Sequence, residues 1–583
     1  MKQVQKIYNQ NYEIITNYIF PFLLLLYPFL TVNQGVDVSD STYSFSNFLF
    51  FENMEGMWVV STFVSNVAGW LLTKLPFGTT ILGLKFYATF LISGTVLTVY
   101  YMSRKWMPSW IVFVGEMIAV GFCWIPAGIL YNYLSYFFFT LGAVILYQGL
   151  VEEKNKLLFA AGVILGFNVF VRIPNLTQMA LIIGVWYYLA GKRQVINIIV
   201  RKTFVCIMGY IVGVLIPLVG VVSRFGISGI RDMVSGLTGI KNSDETYSAF
   251  SMIITVFDAY KRTTKWVFLI ILGIGMGTAM FFCFKGKLEN MKKLVYVTGM
   301  LILLRFLWGR GMFSFRYYED YSSMYEWGMI GLYLIWIAIF YVLFSSKNSQ
   351  EEKLWAVLTA VITAVTPLGS NNYTFQNLNN LFIAAPFAFY VYVKIFRRRS
   401  GKGMIKEITF PWKAMLVMMG FMIALQSMGF HSQFVFRDGM EGMKRNYRFE
   451  TPQSLTGMHT TQENGKSLQE LIEYIDKKEL QSQKVVLYGD CPGLSFILDM
   501  PFAIGTAWPD LGSYHYEEFV RDLEELDEVP VVIIRNVQSM DEQSKNKKEY
   551  LVNFLNGNEY INVFNNGVYG VYMTQKKELN QRR

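Results

Sequence analysis

Two carboxylates, Asp37 and Asp40, stand just beyond the first apolar run of this 583-residue chain. They lie in the stretch Asn33–Phe48 (NQGVDVSDSTYSFSNF), with Tyr43 and the hydroxyls of Ser39, Ser41 and Thr42 around them. A carboxylate at a membrane surface has two chemical uses. It serves as a general base toward a hydroxyl acceptor, or as an oxygen ligand for a divalent cation. The bland alternative is that both acids cap helices while the hydroxyls shape turns. Three positions apart, the two acids share a face if the segment is helical and diverge if it is extended.

Cations that could answer a phosphate are spread along the chain. Arg172, in Val171-Arg172-Ile173-Pro174-Asn175, ends the fifth apolar run, and Arg310 and Arg316 flank the ninth within WGRGMFSFRYYED. Lys85 lies near the start of the second run. An arginine fork pairs bidentately with phosphate; the competing readings are snorkelling to headgroups or pairing with Glu319 or Asp320. Glu116 and Arg305 fall inside apolar runs and are candidates to pair with each other. Asn132 and Tyr133 open the fourth run, and Ser370-Asn371-Asn372-Tyr373, with Asn377 and Asn380, links the eleventh and twelfth. Such amides suit sugar hydroxyls, or simply the unpaired groups of helix ends.

The elements that must position these residues are mostly apolar helices. Hydrophobic residues make up 53% of the chain, aromatics 17% and charged residues only 16%, against about 25% charged in an ordinary soluble domain. Mean hydropathy is +0.32. This composition disfavours an ordinary soluble enzyme and excludes a disordered chain, collagen-like repeats and a coiled coil. Runs long enough to cross a bilayer lie near 15–32, 81–101, 108–126, 132–151, 157–173, 177–190, 203–222, 266–284, 291–309, 328–345, 354–369, 380–396 and 412–430. The first is followed by Asn33-Gln34-Gly35 instead of a small-residue cleavage site and reads as a retained anchor.

Charge sets the sides. Alternate connections collect Lys2, Lys6, Arg104, Lys105, Lys192, Arg193, Lys347 and the cluster from Lys394 to Lys406, and that side is expected to be cytoplasmic. The amino terminus is then inside and the tail from His431 outside. The tail carries a net charge of −6 and the remainder +16. Within the tail, Lys484–Asp490 and Val529–Arg535 read as strands, Lys466–Leu480, Tyr514–Leu526 and Lys545–Leu555 as helices, and Tyr560–Met573 as a hairpin. The expected organisation is a membrane module, 1–430, followed by a small external α/β domain, 431–583. The module has external segments at 33–80, with a helix in the interface, and at 224–265. Four dispersed cysteines give no disulfide or zinc spacing, and the three histidines all lie in the tail. No phosphate-binding glycine loop is present. Gly489-Asp490-Cys491-Pro492-Gly493 reads as a plain turn. No basic stripe with interleaved aromatics suggests nucleic acid.

This layout resembles the GT-C class of integral-membrane glycosyltransferases, which includes protein mannosyltransferases, lipid A aminoarabinose transferases and the oligosaccharyltransferase catalytic subunit. Many carry an Asp-Glu-x-Tyr-like motif in the first external loop; here the match is Asp40-Ser41-Thr42-Tyr43, with Ser in place of Glu. The resemblance implies a mostly α, polytopic fold of about thirteen spans. It further implies a sugar donor on a polyprenyl phosphate, a glycan, lipid or protein acceptor on the outer face, and inversion at the anomeric centre. Asp40, assisted by Asp37, is then the base, and Arg172 with Arg310 or Arg316 holds the phosphate. Tyr43, Lys85, Asn132, Asn371 and Asn372 are expected to touch substrate. No metal is required, although a divalent cation at Asp37 and Asp40 is a second reading. The alternatives are a flippase for lipid-linked saccharides, which should show repeated halves and broken helices, and a non-catalytic scaffold for envelope assembly.

Overall fold

Each of the thirteen apolar runs coincides with helix in the computed structural model, which describes residues 10–54, 59–125, 128, 130–243, 249–282, 288–317, 322–370, 372–398, 412–439, 445–536 and 542–575. Among the described residues, five helices are long and apolar enough to cross a membrane: Tyr12–Phe29, Ile81–Ser103, Leu130–Val151, Ile196–Gly236 and Ser322–Phe344. Phe63–Thr73, Ser109–Phe122, Asn155–Phe170 and Ala384–Phe396 are apolar but shorter. At 1.5 Å per residue, the 14 residues of Ser109–Phe122 reach about 21 Å, short of a hydrocarbon core of about 30 Å. The chain is therefore a multi-span membrane protein in which several of the expected crossings are short helices packed among longer ones.

Local sequence sets the helix ends. Thr80 starts Ile81–Ser103 by accepting the Gly83 N–H (2.9 Å). Ser349 and Glu352 form a reciprocal capping box at the start of Gln350–Val365. The segment 224–265 is not an open loop in its described residues: Ile196–Ser243 extends into it, broken at Gly226 (φ 66), and Ala249–Phe282 starts within it. Its polar residues suggest a loop, yet no proline interrupts it.

The closest helix packing is made by glycines. A Cβ on Gly162 would sit 2.2 Å from the Cys206 carbonyl oxygen, and one on Gly166 would sit 2.0 Å from that of Tyr210. Reciprocally, Gly209 abuts the Phe159 carbonyl and Gly213 that of Val163, each at 2.1 Å. Both helices thus present glycine every fourth residue. This lets backbones meet where lipid supplies no hydrophobic drive between helices.

The tail holds a four-stranded mixed sheet. Val485–Tyr488 pairs in parallel with Val531–Arg535, which pairs antiparallel with Tyr569–Thr574, and Tyr560–Asn565 forms the far edge. Gln462–Lys477, Tyr516–Glu524 and Glu542–Gly557 are its longer helices. The tail is sewn to the first loop by backbone bonds from the Gly35 N–H to the His459 carbonyl (2.8 Å) and from the His459 N–H to the Asn33 carbonyl (2.9 Å). Asp438, fully buried between them, accepts from the Val36 N–H (3.1 Å), the Thr460 hydroxyl (2.6 Å) and the Asn464 amide (2.8 Å), and pairs with Arg445 (3.6 Å).

Candidate functional site

The two loop acids have separate environments. Asp37 precedes the helix Asp40–Leu49 and is buried. Its Oδ1 accepts the Ser39 N–H (2.8 Å) and hydroxyl (2.6 Å), and its Oδ2 accepts the Ser41 N–H (2.8 Å). Both oxygens are thereby used to start the helix. The cavity it lines with Lys85 is about 10 Å³, the size of a single water site. Asp40 occupies the first helical turn, with 33% of its side chain exposed, and meets Arg437 at 3.4 Å. A cation shared by both acids does not fit this donor set, because the Asp37 oxygens are taken by N–H and O–H donors and Arg437 already meets Asp40.

Arg437 comes from the link between the last membrane helix and the tail, in left-handed backbone (φ 47). Its guanidinium meets Asp490 (3.5 Å) and donates to the Ser39 hydroxyl (3.1 Å). Asp490 follows the strand Val485–Tyr488 and is also left-handed (φ 56), in a turn opened by Gly489 (φ 97). Its N–H donates to the Asp510 carboxylate (2.7 Å). Confinement between loop and tail pushes the Asp40 pKa up to about 6; Arg437 opposes this, while Asp37 and Asp490 add to it. Burial raises Asp510 to about 6 as well, and Asp490 in the same direction. Tyr43 approaches the Thr506 hydroxyl (3.4 Å) and stands edge-on to Trp508 (5.3 Å).

The tail holds this helix closely. The Gly493 N–H donates to the Val38 carbonyl (2.8 Å), and the Ser46 hydroxyl donates to the Pro492 carbonyl (3.0 Å) while accepting the Phe496 N–H (3.2 Å). The turn that reads as plain in sequence is therefore half of the site. Arg437, Asp490, Asp510 and Trp508 escape a reading by local pattern because each lies far along the chain from Asp40. One signal was available for Asp490: an acid at the carboxyl end of a strand in a parallel pair, where open α/β sheets bind ligands.

The other expected residues lie elsewhere. Arg172 donates to the Gly369 carbonyl (2.6 Å) and lies over the Tyr131 ring (5.7 Å). With Asn132, Ser135, Asn175, Gln178 and Asn380 it lines a polar cavity of about 20 Å³. Arg310 ends the helix Glu289–Gly309 with its guanidinium over Phe306 (5.3 Å), and Arg316 is exposed in the following link. Neither these nor Arg172 is the guanidinium that meets Asp40. Lys85 is buried, donating to the carbonyls of Gln34 (2.8 Å) and Gly35 (3.2 Å), so it braces the loop. Asn372 donates its backbone N–H to the Ser370 hydroxyl (3.2 Å). Asn371, Glu319 and Asp320 lie outside the described residues. The Glu116–Arg305 pair does not form: Glu116 is buried with no partner for either oxygen among the described residues, whereas Arg305 is exposed on its helix. Among the described residues no three His, Cys, Asp or Glu side chains cluster for a metal.

Fold and site define a multi-span membrane protein in which Asp40, from the loop after the first apolar helix, and Asp490, from the carboxyl-terminal segment, flank Arg437. In shape the chain is similar to the crystal structure of the Archaeoglobus fulgidus oligosaccharyltransferase in complex with zinc and sulfate, with a TM-score of 0.43 and 11% identity over 89% of this chain and 68% of that one. The apo form of the same enzyme gives 0.44 and 10% over 90% and 70%. No known family's sequence pattern matches the chain, and no curated protein matches it.

Proposed function

We propose that the protein transfers a sugar from a polyprenyl-phosphate carrier to a hydroxyl acceptor on the outer face of the membrane, with Asp40 as the base. The observation that carries this is the division of labour between the two acids. Asp37 is spent on the helix start, whereas Asp40 keeps an exposed face and a pKa near neutrality, as a general base needs. In the reaction Asp40 accepts the acceptor hydroxyl's proton as the new oxygen–C1 bond forms. The C1–phosphate oxygen bond breaks on the opposite face, leaving the lipid phosphate as the departing group. Arg437, 48% exposed beside Asp40, steadies that base on its own side of C1, and the cation for the phosphate on the opposite face remains the role that the resemblance gives to Arg172 with Arg310 or Arg316. The module 1–430 supplies the loop and the lipid path, and 431–583 packs over that loop from the outside.

The reading is tested in sealed vesicles carrying the protein and a polyprenyl-phosphate donor with labelled sugar. A transferase releases the label from the carrier onto acceptor. A flippase leaves the label on the carrier and only changes its leaflet, and a scaffold does neither; either outcome refutes transfer.

A further inference from the structure

A second cavity, of about 280 Å³, opens at the other end of the bundle, beside the Lys/Arg-rich connections that include Arg104, Lys105 and Lys347. It is far larger than the roughly 10–15 Å³ that holds a single water. Its wall combines six aromatic rings, three of them packed on one another, with three charges. Tyr147 stacks on Trp355 (4.4 Å, 29°), and Trp106 stands edge-on to both (4.8 and 6.3 Å). The charges are Glu351, Glu352 and Lys394. Lys394 pairs with Glu352 and points at the Asn348 amide oxygen (3.4 Å), and Glu352 also accepts from the Tyr390 hydroxyl (2.9 Å). Glu351 accepts from Tyr188 (3.3 Å) and lies 3.7 Å from Lys192.

Each carboxylate faces an ammonium, Glu352 that of Lys394 and Glu351 that of Lys192, so the site offers both signs with no net charge, which suits a zwitterion better than a purely anionic headgroup. Aromatic faces beside carboxylates favour an ammonium, while Lys394 supplies a cation for an anionic group a few ångströms away. Tryptophan and tyrosine at the ends of membrane helices mark the headgroup level of a bilayer. We propose that this cavity binds the headgroup of an amine-bearing zwitterionic phospholipid, its ammonium against Glu351, Glu352 and the aromatic wall and its phosphate toward Lys394. Nothing in this proposal depends on sugar transfer.

The test uses the full-length protein in detergent, titrated calorimetrically with short-chain phosphatidylethanolamine, short-chain phosphatidylglycerol and free phosphoethanolamine. Phosphatidylethanolamine should bind about tenfold tighter than phosphatidylglycerol, equivalent to one well-made ammonium contact. The double change Glu351→Gln with Glu352→Gln, and separately Trp355→Leu, should each remove that preference. Equal affinity of the wild-type protein for the two lipids overturns the proposal, whatever the variants do. So does a preference that persists in a double variant of unchanged helical circular dichroism. Free phosphoethanolamine binding as tightly as the lipid also overturns it, because the ligand would then be a soluble amine phosphate.

Discussion

Asp40 titrates between opposing neighbours, and this gives its chemistry a signature. A base works only when ionised, so turnover should rise with pH to a plateau above about 6. Asp490→Asn removes a neighbouring negative charge and should move that limb to lower pH. Arg437→Gln removes the nearby positive charge and should move it higher. A pH–rate profile of the three proteins checks the two directions together. The same shift bears on stability. A carboxyl whose folded pKa is raised favours the folded state below its unfolded pKa, and that contribution is lost as pH rises through the folded value. For Asp40 and Asp510 the loss falls between about pH 4 and 6. In Asp510→Asn, thermal melting should therefore decline less across that window than in wild type. Asp37→Ala strands the buried N–H groups of Ser39 and Ser41 and should cost about 2 kcal/mol, read as a lower melting temperature at nearly unchanged turnover.

At the scale of elements, the helix Asp40–Leu49 is placed by close approach. A Cβ on Gly493 would fall 1.7 Å from the Thr42 hydroxyl and 2.9 Å from the Val38 carbonyl. Gly493→Ala should push the tail off this helix, so hydrogen exchange ought to speed up at residues 38–49 while the sheet core stays protected. The helices and strands themselves are legible in the sequence, because apolar runs and turn residues are local signals. The tail strands and helices fall within a few residues of their expected positions, and the acid-bearing loop is found where the first apolar run ends. Other features are not local. Whether Asp37 caps or catalyses depends on which way a three-residue spacing turns, and only the Asx-like turn onto Ser39 and Ser41 decides it. Arg172 reads as a phosphate ligand because it stands alone among apolar neighbours, yet its partner, the Gly369 carbonyl, lies nearly 200 positions away. The glycine pairs Gly162/Gly166 and Gly209/Gly213 were visible as spacing, but spacing does not show that the two helices face each other.

Over the whole molecule, the contacts that Arg437 makes with Asp40 and Asp490 exist only while the tail is docked. Asp438 ties the first loop, the last membrane helix and the tail together, with Arg445 beside it buried to 4% exposure. Asp438→Ala strands the Val36 N–H, the Thr460 hydroxyl and the Asn464 amide and should cost about 3 kcal/mol, seen as early release of the tail to protease. If the tail only recruited partners, its loss would leave chemistry intact; if Asp40 is the base, that loss removes both Arg437 and Asp490, and transfer should fail with it. The central claim is that Asp40, not Asp37, takes the proton. The direct measurement is single-turnover sugar transfer, in one lipid composition, by wild-type, Asp40→Asn and Asp37→Ala proteins matched for folded fraction. Asp40→Asn should lower the rate about 10²–10⁴-fold, and Asp37→Ala should stay within a few-fold of wild type. A wild-type rate in Asp40→Asn, or the larger loss in Asp37→Ala, would contradict it.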